Sequence, residues 1–314
     1  MMKELTSELG FIWWQGVVED RDDPLKLGRC RVRCVGFHTP DKTLLPTEDL
    51  PWAHPIMPVT SASMNGIGFS STGLVKGSWV VGFFRDGNSG QQPVIMGSLG
   101  GIPQNEAVVD SGFYDPDGEY PKPEFIGEPD TNRLSRSEMI ENTVIQSKRD
   151  DLDTIEISGA AGTSEVTEPS TPYASVYPFN KVIESESGHI IEFDDTEQAE
   201  RLHIYHKSGT FIEIHPDGST VRKVIGEDYE IKMADDFIHV KGDHHITVDG
   251  NANIYTKGNV NMKTGGNFVH EVIDGNYNLN VDGNIVMNAA KGKSTIEMGS
   301  SSIRINNSRG IYLN

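Results

Sequence analysis

The chain has 314 residues, of which 27 are basic and 46 acidic, so its net charge is −19. This charge argues against a general nucleic-acid binder, because neutralising phosphates takes a surplus of Lys and Arg, and against adsorption to anionic lipid. No apolar run approaches the roughly 18 residues of a membrane span, and the N-terminal residues predict no signal peptide.

The first segment, residues 1–104, is nearly neutral and predicts five short strands separated by Gly and Pro clusters. Five strands in about 100 residues indicate a small Greek-key barrel, with the OB-fold as the leading form. Such barrels often bind oligonucleotides or sugars, but basic and aromatic residues are not interleaved here, so we expect no nucleic acid. The predicted strands are Ile12–Val18, Arg29–Val35, Trp52–Met57, Trp79–Arg85 and Val94–Leu99.

The two cysteines, Cys30 and Cys34, lie four residues apart on the second predicted strand. That spacing corresponds to roughly 13 Å along a strand, whereas a disulfide needs Cα atoms within about 7 Å. We therefore expect two buried thiols and no bridge. Three arginines are expected on an exposed or docking face of this region: Arg29, Arg31 and Arg33.

The second segment, residues 105–176, has 5 basic and 16 acidic residues together with several prolines. This composition rarely forms a core of its own, so the segment is predicted to be an acidic linker. One short helix is predicted within it, at Ser135–Ile145, because Ser135 and Glu138 have the spacing of a capping box.

The third segment divides into a β-region at 177–239 and an octad repeat with a tip at 240–314. No proline follows Pro216, and proline is excluded from central strands, which favours continuous β-structure. Glycines recur at spacings of 8, 8, 8, 9 and 8 residues, and we expect them to mark corners of the structure. These glycines are Gly242, Gly250, Gly258, Gly266, Gly275 and Gly283.

Apolar residues alternate with polar ones along the octads, as in strands that bury one face. The nine-residue spacing shifts this alternation by one residue, which predicts a bulge within Val269–Ile273. The predicted core positions are Val240, Ile246, Val248, Ile254, Val260, Met262, Ile273, Leu279, Val281 and Met287.

Eight residues are too few for one rung of a single-chain solenoid, whose repeats run from about 20 to 50 residues. Three chains of eight give a rung of 24, so the repeat favours an intertwined homotrimer, a triangular prism in which each chain forms one side. A single-chain β-helix and a disordered Gly/Asn-rich tail are the alternatives, and the strict alternation argues against the second.

Two histidines are candidate ligands of a metal ion. His244 and His270 fall on the apolar parity, where three copies facing one axis could bind a transition metal. A packed or corner-facing histidine is the simpler interpretation, so the sequence predicts no metal site, no cofactor and no catalytic group.

These features resemble a known family, the central spike of contractile-tailed, T-even-like phage baseplates. The first segment is similar to its N-terminal OB domain in the stretch DPLKLGR at 23–29 followed by LPW at 50–52, and the stretches at 177–189 and 206–219 resemble the start of its spike. The octads resemble its triple-stranded β-helix. Related stretches occur in the VgrG spikes of type VI secretion.

The resemblance implies an all-β protein of the virion tail baseplate, made in the host cytoplasm. It would be a structural spike driven through the host outer membrane when the sheath contracts. It also implies a baseplate hub protein at the OB end and a conical PAAR-type protein at the C-terminal tip, for which Ile311 and Leu313 are the candidate contacts.

Some family members carry a lysozyme domain between the OB domain and the spike. Here only residues 105–176 lie between them, with no Glu, Asp and Thr pattern of a phage lysozyme, so no muramidase activity is expected. A type VI-like spike and a polysaccharide-cleaving tailspike enzyme remain alternatives. The enzyme would need two carboxylates across a scissile bond, and the acidic residues near Asp194 are more typical of a turn.

Overall fold

The computed structural model describes residues 12–138, 144, 152–159, 162–289, 294–298 and 303–307. Apart from the helical residue Val144, the regular elements in these ranges are strands and three single-turn 3₁₀ helices, at Thr47–Asp49, Gly87–Ser89 and Pro123–Phe125. None of the described helical turns has the length or apolarity to cross a membrane. The chain forms two compact units, Met1–Leu152 with Pro169–Met233, and Asp153–Glu168 with Ala234–Asn314.

Five strands of the first unit close into a barrel in the order β1-β2-β3-β5-β4. Neighbouring strands are antiparallel except β3 and β5, which are parallel. This closed barrel confirms the OB-type fold predicted for the first segment. The strands are β1 (Ile12–Asp20), β2 (Cys30–Cys34), β3 (Trp52–Pro55), β4 (Trp79–Phe84) and β5 (Pro93–Ser98).

The barrel core is apolar, and it contains both cysteines as free, buried thiols, as predicted. Burial raises the pKa of Cys30 to about 11 and that of Cys34 to about 12, so both remain protonated and unreactive at neutral pH. The core residues are Trp14, Val18, Cys30, Val32, Cys34, Ala53, Val80, Phe84 and Ile95.

The prediction that Arg33 lies on an exposed face is wrong, because its side chain is fully buried. Its guanidinium binds both carboxylate oxygens of Glu19, with Nε 2.6 Å and Nη2 3.0 Å away. It also donates to the backbone carbonyls of Thr39 and Leu45. Residues from the next loop therefore cover this side of β2, and the buried charge is matched by a carboxylate.

The other two arginines are partly buried and already engaged. Arg29 pairs with Asp23 at 2.6 Å, and Arg31 donates to the carbonyl of Leu50 at 2.7 Å. Both guanidinium groups also lie over the ring of Trp52. They brace the barrel, which leaves little positive surface for a phosphate backbone.

Much of the segment predicted to be a linker packs in a fixed position. The backbone N–H of Phe113 donates to Glu19 at 2.9 Å, and the buried carboxylate of Asp115 accepts three backbone N–H groups, from Asp117, Glu119 and Tyr120. Buried carboxylates thus order a stretch that lacks an apolar core of its own.

The helix predicted at Ser135–Ile145 lies mostly outside the described residues. Ser135 lies in a turn, and its hydroxyl donates to the carbonyl of Asn180 at 2.8 Å and so does not cap a helix. Val144 is described as helical and buried.

A second sheet of the first unit is a meander of five antiparallel strands. Tight turns with a glycine at positive φ, Gly188, Gly209 and Gly218, join three of its four strand pairs, which is the residue that such turns favour. The strands are β8 (Asn180–Glu184), β9 (Ile190–Asp194), β10 (Arg201–Tyr205), β11 (Phe211–Ile214) and β12 (Thr220–Lys223).

The second unit contains a hairpin and a meander. The hairpin is β6 (Thr154–Gly159) and β7 (Gly162–Thr167), which the sequence did not predict. The meander is antiparallel and comprises β13 (Ile285–Ala289), β14 (Ser294–Met298) and β15 (Ile303–Asn307). Between β12 and β13 every residue is described, and none lies in a strand.

Candidate assembly surface

An antiparallel sheet usually buries its apolar face and exposes its polar face. The sheet β8–β12 instead exposes a face rich in apolar side chains and buries a cluster of charged ones. The three central strands, β9 to β11, bear only apolar side chains on one face, and the edge strands add Ile183 together with Lys181, Thr220 and Arg222. The apolar side chains of this face are 37–64 % exposed. The strand register aligns them in two ladders across the sheet. We call this set the apolar face, and it consists of Ile183, Ile191, Phe193, Leu202, Ile204, Ile212 and Ile214.

The opposite face of the same sheet is buried and combines charged side chains with an apolar cluster that includes Ile190, Tyr205 and Phe211. Arg201 binds Glu192 through Nη2 and Glu213 through Nη1, each at 2.8 Å. His203 lies between the two glutamates in the register, and its Nδ1 is 2.5 Å from Glu192 Oε2. We call these four residues, which are at most 1 % exposed as side chains, the charge cluster.

The pKa values of two groups in the charge cluster, Glu192 and Arg201, are shifted in opposite directions. Burial by itself would raise the pKa of Glu192, but the hydrogen bond with His203 and the charge and hydrogen bonds of Arg201 together lower it to about 2. The same two glutamates, against the cost of burial, raise the pKa of Arg201. Glu192 and Arg201 therefore stay charged at neutral pH, and the side chains of the cluster are buried away from solvent.

A segment of the same chain covers this charged face. The hydroxyl of Tyr173 donates to the carbonyl of Leu134 at 2.6 Å, and its ring lies 5.0 Å from the Arg201 guanidinium. Thr171 donates to Glu213 at 2.9 Å. We call residues 131–138 and 171–178 the strap. Because the strap occupies one face of the sheet, only the apolar face is open to another molecule.

The octad region shows a regular backbone path. Bends recur at each repeat glycine, at 241–242, 249–250, 257–258, 265–266, 273–275 and 282–283. The bend in the nine-residue repeat contains one residue more, and it lies at the end of the range predicted to hold a bulge. A β-bulge in the strict sense is not defined there, since these residues pair with no strand.

The described backbone of this region pairs with no other backbone of the chain, although the N–H of Gly266 donates to the hydroxyl of Thr264 at 3.2 Å. Residues 237–284 are all described, and none of their backbone groups is hydrogen-bonded to another backbone group. The side chains predicted to form a trimer core are exposed, for example Ile254 at 92 %. Extended backbone with unpaired polar groups and exposed apolar side chains calls for another chain.

The repeat glycines are not explained by contacts within one chain. A Cβ built on Gly242, Gly250, Gly258, Gly266 or Gly283 would meet nothing within 4 Å, and at Gly275 only a methyl of Val272 at 3.5 Å. None of the six has the positive φ that would demand glycine. Their role as corner residues stays a prediction.

The candidate tip contacts Ile311 and Leu313 lie outside the described residues. Met287, a predicted core position, lies in β13 and pairs in register with Ile296 of β14. His270 packs between the rings of Phe268 and Tyr277. Within the described ranges, no three His, Cys, Asp or Glu side chains are grouped as metal ligands.

Sequence reasoning did not find the charge cluster or the apolar face. The signal is present in the alternation of HIIEFD, RLHIYH and FIEI. Read by the usual rule, this alternation turns the Ile side chains inward and the charged ones outward. In the structure of one chain the charged side is covered, because Leu134 and Tyr173 of the strap pack over it, against Ile190 and Phe211 of the sheet.

Comparison with known proteins agrees with this architecture. Residues 36–180 match the family model of the Gp5 N-terminal OB domain. The chain is 47 % identical over 264 residues to "Protein Gp5" of Vibrio phage KVP40, covering 74 % of this chain and 62 % of that protein. It is 47 % identical over 129 residues to "Pre-baseplate central spike protein Gp5" of Enterobacteria phage T4, covering 40 % and 22 % respectively.

The chain thus spans less than two thirds of either relative. The matches confirm the resemblance to phage central spikes that the DPLKLGR and LPW stretches indicate. Residues 36–180 thus match the Gp5 N-terminal OB domain, and the chain is similar to the Gp5 spike proteins of phage.

Proposed function

We propose that the chain is a structural central spike of a contractile phage-tail baseplate and that it works as a homotrimer. The observation that carries the proposal is the octad backbone, which lies in no strand, makes no backbone–backbone hydrogen bond within the chain and is flanked by exposed apolar side chains. Three copies would supply the missing ladder partners, and three octads give a rung of about 24 residues, within the range of known solenoid repeats.

The apolar face adds a second contact between copies. Seven exposed Ile, Leu and Phe side chains on one sheet are unusual for a monomeric protein, and the strap already covers the other face. In the proposed trimer, each copy would bury this face against its neighbours, and the prism would continue from there through the octads.

The proposed location is the virion tail baseplate, as the name of the T4 relative suggests. We propose that a hub protein binds at the barrel end and a PAAR-type protein at the C-terminal end, with transient passage through the host outer membrane. Deleting 310–314 should leave the trimer intact and abolish capture of the tip protein in a pull-down. Retained capture would place that contact elsewhere.

We also propose that this chain has no hydrolase activity. Within 105–138, the buried Asp115 orders a loop and Glu128 pairs with Arg133 and Arg136. The buried carboxylates of the charge cluster are sealed from solvent. A zymogram on peptidoglycan should remain blank, and clearing by the pure protein would contradict this part of the proposal.

The test of the trimer is the mass of the purified full chain under native and denaturing conditions. Native mass spectrometry should give three times the chain mass of 34.6 kDa. The assembled form should resist detergent, because unwinding three intertwined chains is kinetically hindered. A folded monomer at micromolar concentration would refute the proposal.

A further inference from the structure

The backbone bends of the octads continue upstream of the first repeat glycine. Counting back from the bend at 241–242 in steps of eight leads to two further bends, at 233–234 and 225–226. The residues at the glycine position of these bends are Ala234 and Gly226. The glycine series in the sequence starts at Gly242 because Ala234 interrupts it.

The positions of the apolar residues support an octad that starts at Ala234. In the octads beginning at Gly242 and Gly250, the residue four places after the glycine is Ile246 or Ile254, and a β-branched residue follows at the sixth place. Counting from Ala234, the same places hold Ile238 and Val240, which are 73 % and 46 % exposed. This octad therefore presents the same apolar positions as the later ones.

The octad that starts at Gly226 has the same backbone bend, but charged residues replace the apolar ones found in the later octads. Its fourth and sixth places hold Glu230 and Lys232, whose charged groups lie 2.7 Å apart. The charges of Glu230 and Lys232 cancel within each copy. Three copies that meet at this octad would therefore bring no net charge together. Such a pair suits the mouth of a prism, where water reaches the interior.

We infer that the intertwined part of the spike begins at Gly226, with a charge-paired rung at Gly226 and an apolar rung at Ala234, and that two further copies of this chain occupy both. The inference rests on the proposed trimer. It puts the change from a sheet within one chain to a prism shared by three chains directly after β12, which ends at Lys223.

Hydrogen exchange on the purified full-length trimer tests the inference. Amides of residues 226–239 should exchange as slowly, within about tenfold, as those of residues 242–264. The exposed barrel loop at 62–70 provides a fast-exchanging reference in the same sample. If 226–239 exchanges like that loop while the octads are protected, the inference fails and the trimer stands. Absence of any trimer by native mass would instead refute the proposed function.

Paired variants make the test sharper. Ala234→Val places a branched side chain at the proposed corner and should speed exchange at 226–239 at least tenfold or reduce the detergent-resistant fraction. Asp235→Asn, one residue further and at a place that is polar in each octad, should change neither. Equal exchange in the two variants and the parent protein would overturn the inference.

Discussion

At some positions of the barrel, the residue type is determined by how closely neighbouring atoms approach the backbone. Gly82 is the clearest example. A Cβ on Gly82 would lie 1.9 Å from the carbonyl oxygen of Val94 and 2.5 Å from the ring of Trp14. The irregular register of β4 and β5 lies at the same place, between Val81 and Gly82. Glycine is thus required by the space between strand and indole.

We expect Gly82→Ala to lower the free energy of unfolding of the barrel by roughly 1–3 kcal/mol or more, because the strands must separate to admit the methyl group. Gly97→Ala is the matched control on the neighbouring strand, since its Cβ would meet nothing within 4 Å. Denaturant unfolding followed by Trp fluorescence measures both. Equal losses would show that the close approach is absent in solution.

The charge cluster makes the stability of the fold depend on pH in the acidic range. The pKa of Glu192 is about 2 in the folded chain against an ordinary value of 4.5. A carboxyl with a lowered pKa stabilises the fold above its unfolded pKa, and this contribution is lost as the pH falls toward the folded pKa.

We therefore expect the thermal midpoint to fall between pH 4.5 and pH 2, with a loss on the order of 3 kcal/mol per chain. Glu192→Gln should lower stability at pH 7, because Arg201 and His203 lose a buried partner, and should flatten the pH profile. Glu197→Gln, on an exposed turn of the same sheet, is the control. A parent profile that is flat down to pH 2.5 would contradict the assigned pairing.

At the scale of elements, the sheet β8–β12 is a panel whose two faces have different partners. Its charged side is held by the strap through Tyr173 and Thr171, whereas its apolar side is open. A change on the apolar face should therefore affect assembly while leaving the panel itself folded.

Ile204→Asn tests this separation, because Ile204 lies in the middle of one apolar ladder, between Ile191 and Ile212. We expect a large drop in the trimer fraction by native mass spectrometry, with the β-sheet signal in circular dichroism retained. Leu44→Asn, at an apolar residue that is 75 % exposed in a barrel loop, should leave the trimer unchanged. An unaffected trimer in Ile204→Asn would remove the apolar face from the interface.

At the scale of the whole molecule, the octads offer few contacts within one copy. A Cβ on five of the six repeat glycines, Gly250 among them, would meet no atom of the same chain within 4 Å, so a steric effect of a larger side chain at Gly250 would come from another copy. This makes a glycine substitution a direct probe of assembly.

We expect Gly250→Val to abolish most of the detergent-resistant trimer, because a branched side chain would stand at a corner in each of three chains. Asn251→Ser, on the predicted outer face, should be nearly neutral. Gel mobility without boiling and native mass give the two readouts. Equal behaviour of the variants would mean that the predicted facing is wrong.

The sequence by itself determined the elements whose signal is local. The five barrel strands, the buried thiols of Cys30 and Cys34, and the eight-residue step of the glycines all follow from alternation and spacing. The DPLKLGR and LPW stretches indicated the similarity to phage central spikes that the comparisons confirm. These signals survive because each depends on residues close together in the chain.

Only the tertiary structure decided which face of an element is covered. Arg33 is buried because Glu19 and the backbone carbonyls of another loop match its charge. The sheet β8–β12 hides its charges because the strap, distant in sequence, packs over them. The octads extend back to Gly226 because the backbone keeps bending where the glycine series stops. Alternation fixes that two faces differ, but the partner that covers each face comes from elsewhere in the fold.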